Sequence, residues 1–253
     1  MARILVDGRR MSCEEGEYIL DVCRRNGIEI PTLCHHEAVE PWGGCRLCMV
    51  EVSHPKWPGW KDYVTACLYP VQDGLVVQTN SPRVRRLRAT VLDLLLARCP
   101  YSREIRELAA EYGVTETSYT PRVDGDNCIL CGLCVRVCDE VIGKAAIGTA
   151  SRGVLKEISE PLKEPPPDCI GCGACAYVCP TNVIPMTQTA NTRIIWDREF
   201  EMLKCKNCGR AHITVAQRDW LIDKNDLPED YYDLCDVCKR KAVSHTQSNL
   251  AAF

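Results

Sequence analysis

Cys128-Ile129-Leu130-Cys131-Gly132-Leu133-Cys134-Val135-Arg136-Val137-Cys138 is followed, 30 residues later, by Cys169-Ile170-Gly171-Cys172-Gly173-Ala174-Cys175-Ala176-Tyr177-Val178-Cys179-Pro180. Both stretches are spaced C-x2-C-x2-C-x3-C. Thiolates separated by two residues can wrap one face of a cube. This run holds [4Fe–4S] clusters in two-cluster ferredoxins, where the fourth cysteine serves the other cluster. The spacing therefore assigns Cys128, Cys131, Cys134 and Cys179 to one cluster, and Cys169, Cys172, Cys175 and Cys138 to the other. Each fourth cysteine is expected on a short helix. Two such runs in tandem mark a protein that handles electrons.

The remaining composition agrees. Of 253 residues, 19 are cysteine, and their spacings read as metal ligation rather than a disulfide framework. Cluster thiolates must stay reduced, which predicts a cytoplasmic location. The opening MARILVDGRR lacks the apolar core of a secretory signal and the twin-arginine layout. No run approaches the ~18 apolar residues of a membrane span, so no direct membrane insertion is expected. A net charge of −3 argues against a nucleic-acid binder. With two Phe and five Trp, the clusters are expected to replace part of the hydrophobic core, because metal-binding free energy is folding free energy in such domains.

Working outward, residues 1–80 read as a small mixed domain. Ile4-Leu5-Val6 and Met11-Ser12-Cys13 flank the hairpin dipeptide Asp7-Gly8. Ile19, Val22 and Cys23 mark a helical face ended by Gly27. Met49–Val52, Tyr63–Ala66 and Leu75–Thr79 read as strands. A hairpin, a crossing helix and returning strands predict a β-grasp ferredoxin fold. Residues 81–120 form a helical linker. Ser81 and Pro82 supply the N-cap and first position of a helix running to about Arg98, and a second helix covers about 103–112. A two-[4Fe–4S] ferredoxin-like domain spans 121–190, with Glu164-Pro165-Pro166-Pro167 as a rigid lead-in to its second motif. Residues 191–253 hold the last four cysteines and a polar tail expected to fray. The fold class is thus α+β.

The N-terminal cysteines form a third group, Cys34-x10-Cys45-x2-Cys48-x18-Cys67, led in by Gly43-Gly44. Glycines let backbone amides approach sulfur, and such hydrogen bonds tune potential. Four thiols with a close central pair favour a [2Fe–2S] cluster, a structural zinc site being the alternative. The C-terminal group is Cys205-x2-Cys208 and Cys235-x2-Cys238, two knuckles separated by 26 residues. That spacing suits a closed tetrahedral site in a zinc-ribbon-like module. Zn2+ is the first choice, with a rubredoxin-like iron or another cluster as alternatives. His212 and His245 read as surface residues rather than ligands. These groups use 16 of the 19 cysteines and leave Cys13, Cys23 and Cys99; the first two read as small core residues. The basic run Arg83, Arg85, Arg86, Arg88 reads as a solvated helix face.

Three stretches carry a resemblance: Ile30-Pro31-Thr32-Leu33-Cys34-His35-His36, Gly44-Cys45-Arg46-Leu47-Cys48-Met49-Val50-Glu51-Val52, and Asp73 to Ser81. They resemble the opening of the large iron–sulfur subunit of respiratory complex I. They are equally similar to the diaphorase-side electron-transfer subunit of NAD-linked nickel–iron hydrogenases and to related formate dehydrogenase chains. Asn127 to Cys131 and Val135 to Cys138 continue the pattern. The resemblance implies a relay between a flavin/NAD-binding subunit and a distal catalytic oxidoreductase subunit in a hetero-oligomer. Many members carry a further [4Fe–4S] site with one His and three Cys ligands. Here that region offers Cys99 alone, with no His between Cys67 and Cys128, so the extra cluster is expected to be absent.

The expected function is therefore a non-catalytic iron–sulfur electron-transfer subunit. No G-x-G-x-x-G follows a strand, so NAD and flavin are expected to bind elsewhere. The alternative is a subunit of a quinone- or acyl-CoA-linked reductase without an NAD link. An iron-only hydrogenase would need a further large catalytic domain, for which 253 residues leave no room. Succinate dehydrogenase-type subunits space their first cysteines more tightly. A nucleic-acid protein would show a basic, aromatic surface pattern.

Overall fold

The computed structural model describes the backbone of residues 1–250 and the side chains of residues 1–244. β1 (Ala2–Val6) and β2 (Arg9–Cys13) form a hairpin with Val6 opposite Arg9. Asp7 and Gly8 between them take φ +48° and +80°, the paired positive values that two-residue hairpin turns require. α1 (Ile19–Arg25) crosses over and buries Ile19, Leu20, Val22 and Cys23. β3 (Met49–Ser53), β4 (Lys61–Thr65) and β5 (Val76–Gln78) complete a sheet ordered β2-β1-β5-β3-β4, in which β1 and β5 run parallel. Ala2, Ile4 and Val6 alternate inward with the period-two repeat of a strand and meet Val50, Val52 and Val77. Cys13 and Cys23 lie in this core as small apolar residues. The segment between Ile28 and Leu47 has no regular structure; it carries Cys34 and Cys45.

α2 (Pro82–Arg98) starts where expected, the Ser81 hydroxyl accepting from Val84 N at 3.3 Å. α3 (Arg103–Glu111) is capped in the same way by Ser102. The basic run on α2 differs from its expected role at one position. Arg83, Arg85 and Arg86 are exposed, but Arg88 is 2% exposed. Its Nη2 donates to the carbonyls of Met49 at 2.7 Å and Thr79 at 2.9 Å, and its Nη1 to the Tyr112 hydroxyl at 3.3 Å. Arg88 sits on the inward face of the helix with Val84, Leu92 and Leu96, so it ties the helix to the first sheet instead of facing water.

The paired motifs adopt one plan twice. Gly132 and Gly173 take φ +73° and +79° and start the short helices α4 (Leu133–Arg136) and α5 (Ala174–Tyr177). Cys138 sits on one π-helical turn, Val137–Val141, that continues α4. Cys179 lies just past the end of α5, so only one of the two fourth cysteines is on a helix. β6 (Gly148–Ala150) and β7 (Glu157–Ser159) pair in the connection.

Beyond the second motif the structure is more regular than expected. β8 (Met186–Gln188), β9 (Thr192–Ile195), β10 (Arg198–Lys204) and β11 (Ala211–Thr214) form an antiparallel sheet that crosses residue 190. α6 (Val215–Asn225) follows. α7 (Asp236–Leu250) replaces the expected fraying tail up to residue 250; residues 251–253 lie outside the described residues. No helix among the described residues is long and apolar enough to cross a membrane.

Arg88→Met keeps the length of the side chain but leaves the Met49 and Thr79 carbonyls without their donor. It is expected to lower the stability of the N-terminal unit by about 3 kcal/mol. Arg85→Ala, which removes an exposed guanidinium stacked 5.1 Å from the Tyr112 ring, is expected to cost under about 1 kcal/mol. Urea unfolding followed by visible absorption of the loaded chain separates the two.

Candidate metal centres

In the N-terminal unit the four thiols meet as two pairs. The Cys48 thiol donates to Cys67 Sγ at 3.4 Å, and the Cys34 thiol is hydrogen-bonded to Cys45. Cys67 feels the charge of the other pair, Cys34 and Cys45. Amide groups of the Gly43–Cys48 loop point at sulfur as the glycine lead-in suggested. Cys45 N lies 3.3 Å from Cys34 Sγ, and the Gly44 amide also serves Cys34. The hydrogen bond from Cys34 pulls the Cys45 thiol below its usual range.

The two tandem motifs interleave. One cavity of about 180 Å³ is lined by Cys128, Cys131, Cys134 and Cys179, so the fourth thiol comes from the second motif. Another, about 20 Å³, is lined by Cys169, Cys172, Cys175 and Cys138, with the fourth thiol from the first motif. The crossed arrangement follows from the short helices: each carries the chain out of its own loop and toward its neighbour, and α4 and α5 pack against each other. The donor set fits a cube in each case, four sulfurs around an apolar hollow. For the narrower hollow the fit rests on the donors and the matching loop, not on room. Leu130 N reaches Cys128 Sγ and Gly171 N reaches Cys169 Sγ, both at 3.4 Å, and Ala146 N reaches Cys138 Sγ at 3.3 Å. Burial pushes the Cys131 thiol to about 11 and those of Cys134 and Cys175 to about 12. A cation is therefore needed to hold these sulfurs as thiolates.

Close approach explains one glycine in these loops. A Cβ on Gly171, at φ +65°, would lie 2.6 Å from the Phe200 ring.

The first sheet and the first cage are joined at their cysteine loops. Arg136, on α4, donates to the carbonyl of Cys34 at 2.8 Å and to that of Glu40. Its guanidinium lies 5.6 Å from the Trp42 ring. Arg98, at the end of α2, donates to the Cys128 carbonyl at 2.6 Å. Cys99, beside it, is fully buried, its thiol pushed up to about 12 by desolvation, and it lines neither cavity.

The Sγ atoms of Cys205, Cys208, Cys235 and Cys238 lie within 4.8 Å of one another. Cys208 and Cys235 are 3.8 Å apart. A tetrahedron with metal–sulfur bonds of ~2.3 Å has edges of roughly 3.8 Å, so the group can bind a metal. Cys235 N and Asn207 Nδ2 donate to Cys205 and Cys238 Sγ, both at 3.3 Å. Amides of Cys235 and Cys208 bring the Cys205 thiol down to about 6. His212 is half-buried rather than on the surface: its Nε2 is 2.9 Å from the Tyr232 carbonyl, because β11 packs it against the loop before Cys235. It is not in the four-thiol group. The side chain of His245 lies outside the described residues.

Sequence reasoning overlooked Arg136, Trp42, Arg193, Trp196 and Arg198. Arg193 donates to the Gly171 carbonyl at 2.7 Å and Arg198 to that of Cys169 at 2.9 Å. Arg136 fills an unspecified position inside the first motif and the others lie outside every spacing motif, and Trp196-Asp197 lacks the Asn-Gly type of turn dipeptide that would have signalled the hairpin.

Residues 1–82 match the family described as 2Fe-2S iron-sulfur cluster binding domain, and residues 121–186 and 168–213 match two families described as 4Fe-4S dicluster domain. The chain is 29% identical to an NADH-quinone oxidoreductase subunit of Rhizobium meliloti (strain 1021), over 86% of this chain and 28% of that protein. It is 32% identical to NADP-reducing hydrogenase subunit HndD of Solidesulfovibrio fructosivorans, over 73% of this chain and 36% of that one. It thus spans about a third or less of these relatives' lengths. Among solved structures, a chain in the crystal structure of NAD+-reducing [NiFe]-hydrogenase in the H2-reduced state matches with a TM-score of 0.54 and 28% identity, over 63% of this chain and 74% of that one.

Two variants check the cages. Cys138→Ala is expected to damage the cluster of Cys169, Cys172 and Cys175, and Cys179→Ala that of Cys128, Cys131 and Cys134, read by electron paramagnetic resonance of the loaded chain. Harm confined to the cluster of the variant's own motif would reverse the crossed arrangement. Cys99→Ala is expected to leave the iron content unchanged, read by elemental analysis.

Proposed function

We propose, for a chain homologous to NADH-quinone oxidoreductase and NADP-reducing hydrogenase subunits, that it is the iron–sulfur relay of a multisubunit NAD(P)H-linked oxidoreductase. The observation that carries the reading is the serial placement of three cysteine cages. The loop of Cys34 is held against the first cubane cage by Arg136, and Trp196 lines both cubane cavities.

Cys34, Cys45, Cys48 and Cys67 would hold a [2Fe–2S] cluster on a β-grasp sheet. Cys128, Cys131, Cys134 and Cys179 would hold one [4Fe–4S] cluster, and Cys138, Cys169, Cys172 and Cys175 the other. When bound, the clusters accept and release single electrons. The chain itself fixes their separation, keeps water out and aims amides at sulfur, the levers by which a protein sets cluster potential. Cys205, Cys208, Cys235 and Cys238 would hold zinc in a zinc-ribbon-like module, a redox-silent support. We divide the chain into 1–80, 81–120, 121–190 and 191–253, the last unit reaching back to the second cage through β9 and β10.

The partners in this reading are a flavin-bearing subunit that handles NAD(P)H and a distal catalytic subunit of hydrogenase or formate dehydrogenase type, in the cytoplasm. Cys99 lies outside every cage, so the His–Cys cluster found in many related subunits has no place here. The Arg136 contact supplies a direct junction between the first two cages instead.

Elemental analysis is expected to give roughly ten iron atoms and about one zinc per chain. Zinc near zero with proportionately more iron would move the C-terminal site to the electron path. The isolated loaded chain is expected to show no NADH oxidation and to be reduced by NADH once its flavin-bearing partner is added. Tight stoichiometric NADH binding to the chain alone, seen by calorimetry, would overturn this division of labour.

A further inference from the structure

The hairpin of β9 and β10 brings three side chains to the second cubane cage. Its two-residue turn, Trp196-Asp197, has φ +53° at both positions. Asn and Gly adopt that conformation readily, whereas a bulky residue there is an outlier. The turn sets the indole between the two cubane cavities, lining both. Its Nε1 donates to Cys175 Sγ at 3.4 Å.

Two backbone donors of each cage come in matched pairs, and Ala146 N on Cys138 is one more in the second cage. Leu130 N serves Cys128 as Gly171 N serves Cys169, and the Leu133 amide serves Cys131 as that of Ala174 serves Cys172. Where Cys175 takes the indole, the equivalent Cys134 takes the Val135 amide and no side chain. Among the described hydrogen bonds no side-chain N–H donates to a thiol of the first cage, where Cys179 has only the Thr181 hydroxyl at 3.7 Å. Charge is also uneven. Arg193 donates to the carbonyls of Gly171 and Cys172 at 2.7 and 3.0 Å, and Arg198 to that of Cys169 at 2.9 Å. The first cage has Arg98 alone in this role, on Cys128.

Hydrogen bonds to cluster sulfur and nearby positive charge both favour the more negative, reduced state and so raise the potential. We propose that the β9–β10 hairpin makes the cluster at Cys138, Cys169, Cys172 and Cys175 the higher-potential of the two cubes, with Trp196 as the positioning residue acting through Cys175. This rests on the ligand assignment proposed above. An electron reaching the first cube then leaves it for the second, and the indole keeps water from the space between them.

The test is a potentiometric titration of the loaded full-length chain, followed by electron paramagnetic resonance. The signal lost in Cys172→Ala is expected to titrate at the higher potential, and the one lost in Cys131→Ala at the lower. Trp196→Phe keeps a ring in place but removes the donor. It is expected to shift the first midpoint downward, leave the second in place, and alter the iron–thiolate stretching bands in resonance Raman spectra. If Trp196→Phe loads poorly, the double variant W196F/D197G, which relieves the second left-handed position, gives the same readout. An unmoved midpoint, or equal movement of both, overturns the tuning role while the ligand assignment stands. A wild-type chain that loads one cube overturns the assignment and the proposal with it.

Discussion

Four thiolates held within a few ångströms of one another repel, and burial weakens the screening that would relieve them. This chain gathers cysteines in fours at four places, most tightly at Cys205, Cys208, Cys235 and Cys238, whose Sγ atoms lie within 4.8 Å of one another. Without a cation the thiols of Cys134 and Cys175 are pushed to about 12, first by burial and then by the neighbouring sulfurs. The structure offsets the repulsion locally by aiming amides at sulfur. Several of those amides sit where the backbone turns tightly, at Gly44 and Gly171 and just past the left-handed Gly132 and Gly173, where Leu133 and Ala174 donate. Cluster binding and local fold are therefore one transition, the loops having little reason to hold this shape except around metal.

Arginine is the second recurring device. Arg88, Arg98, Arg136, Arg193 and Arg198 each donate to backbone carbonyls of another segment. A planar guanidinium presents several donors at once and so can fasten irregular backbone that no sheet or helix completes. Three of these carbonyls belong to Cys34, Cys128 and Cys169, the first cysteine of each iron–sulfur group. The same contacts lay positive charge around the cysteine cages, where the proposed clusters would carry negative charge. Structural fastening and electrostatic support of the reduced state coincide in one residue type.

The junction between the first two cages depends on shape as well as charge. Trp42 lies over Gly132, whose Cβ would come within 2.9 Å of the ring, while Arg136 covers the same indole. A side chain at position 132 would push the loop of Cys34 away from the loop of Cys131. The distance across this junction is thus set by a glycine and a tryptophan that bind no metal. In the relay proposed above, where electrons would cross gaps rather than bonds, such residues would matter to function as much as ligands do.

By itself the sequence determined the thiol groups, because ligand spacing is a local constraint on how a short loop can wrap a metal. It also determined β1, β2 and the start of α2, because Asp7-Gly8 and Ser81-Pro82 act on their immediate neighbours. Only the tertiary structure decided that Arg88 points inward, since the partner carbonyls of Met49 and Thr79 come from other strands. It alone decided the sheet of β8 to β11: β10 alternates, with Phe200 and Met202 buried and Glu199 and Glu201 exposed, but its partners are only three or four residues long and β8 is exposed throughout, too little for local pattern to mark them as strands. The place of Trp196 between the two cavities was likewise beyond local reading. A tryptophan in a left-handed turn is disfavoured by every short-range rule, and it is held there by contacts with residues that lie 20 or more positions away, Cys175 among them.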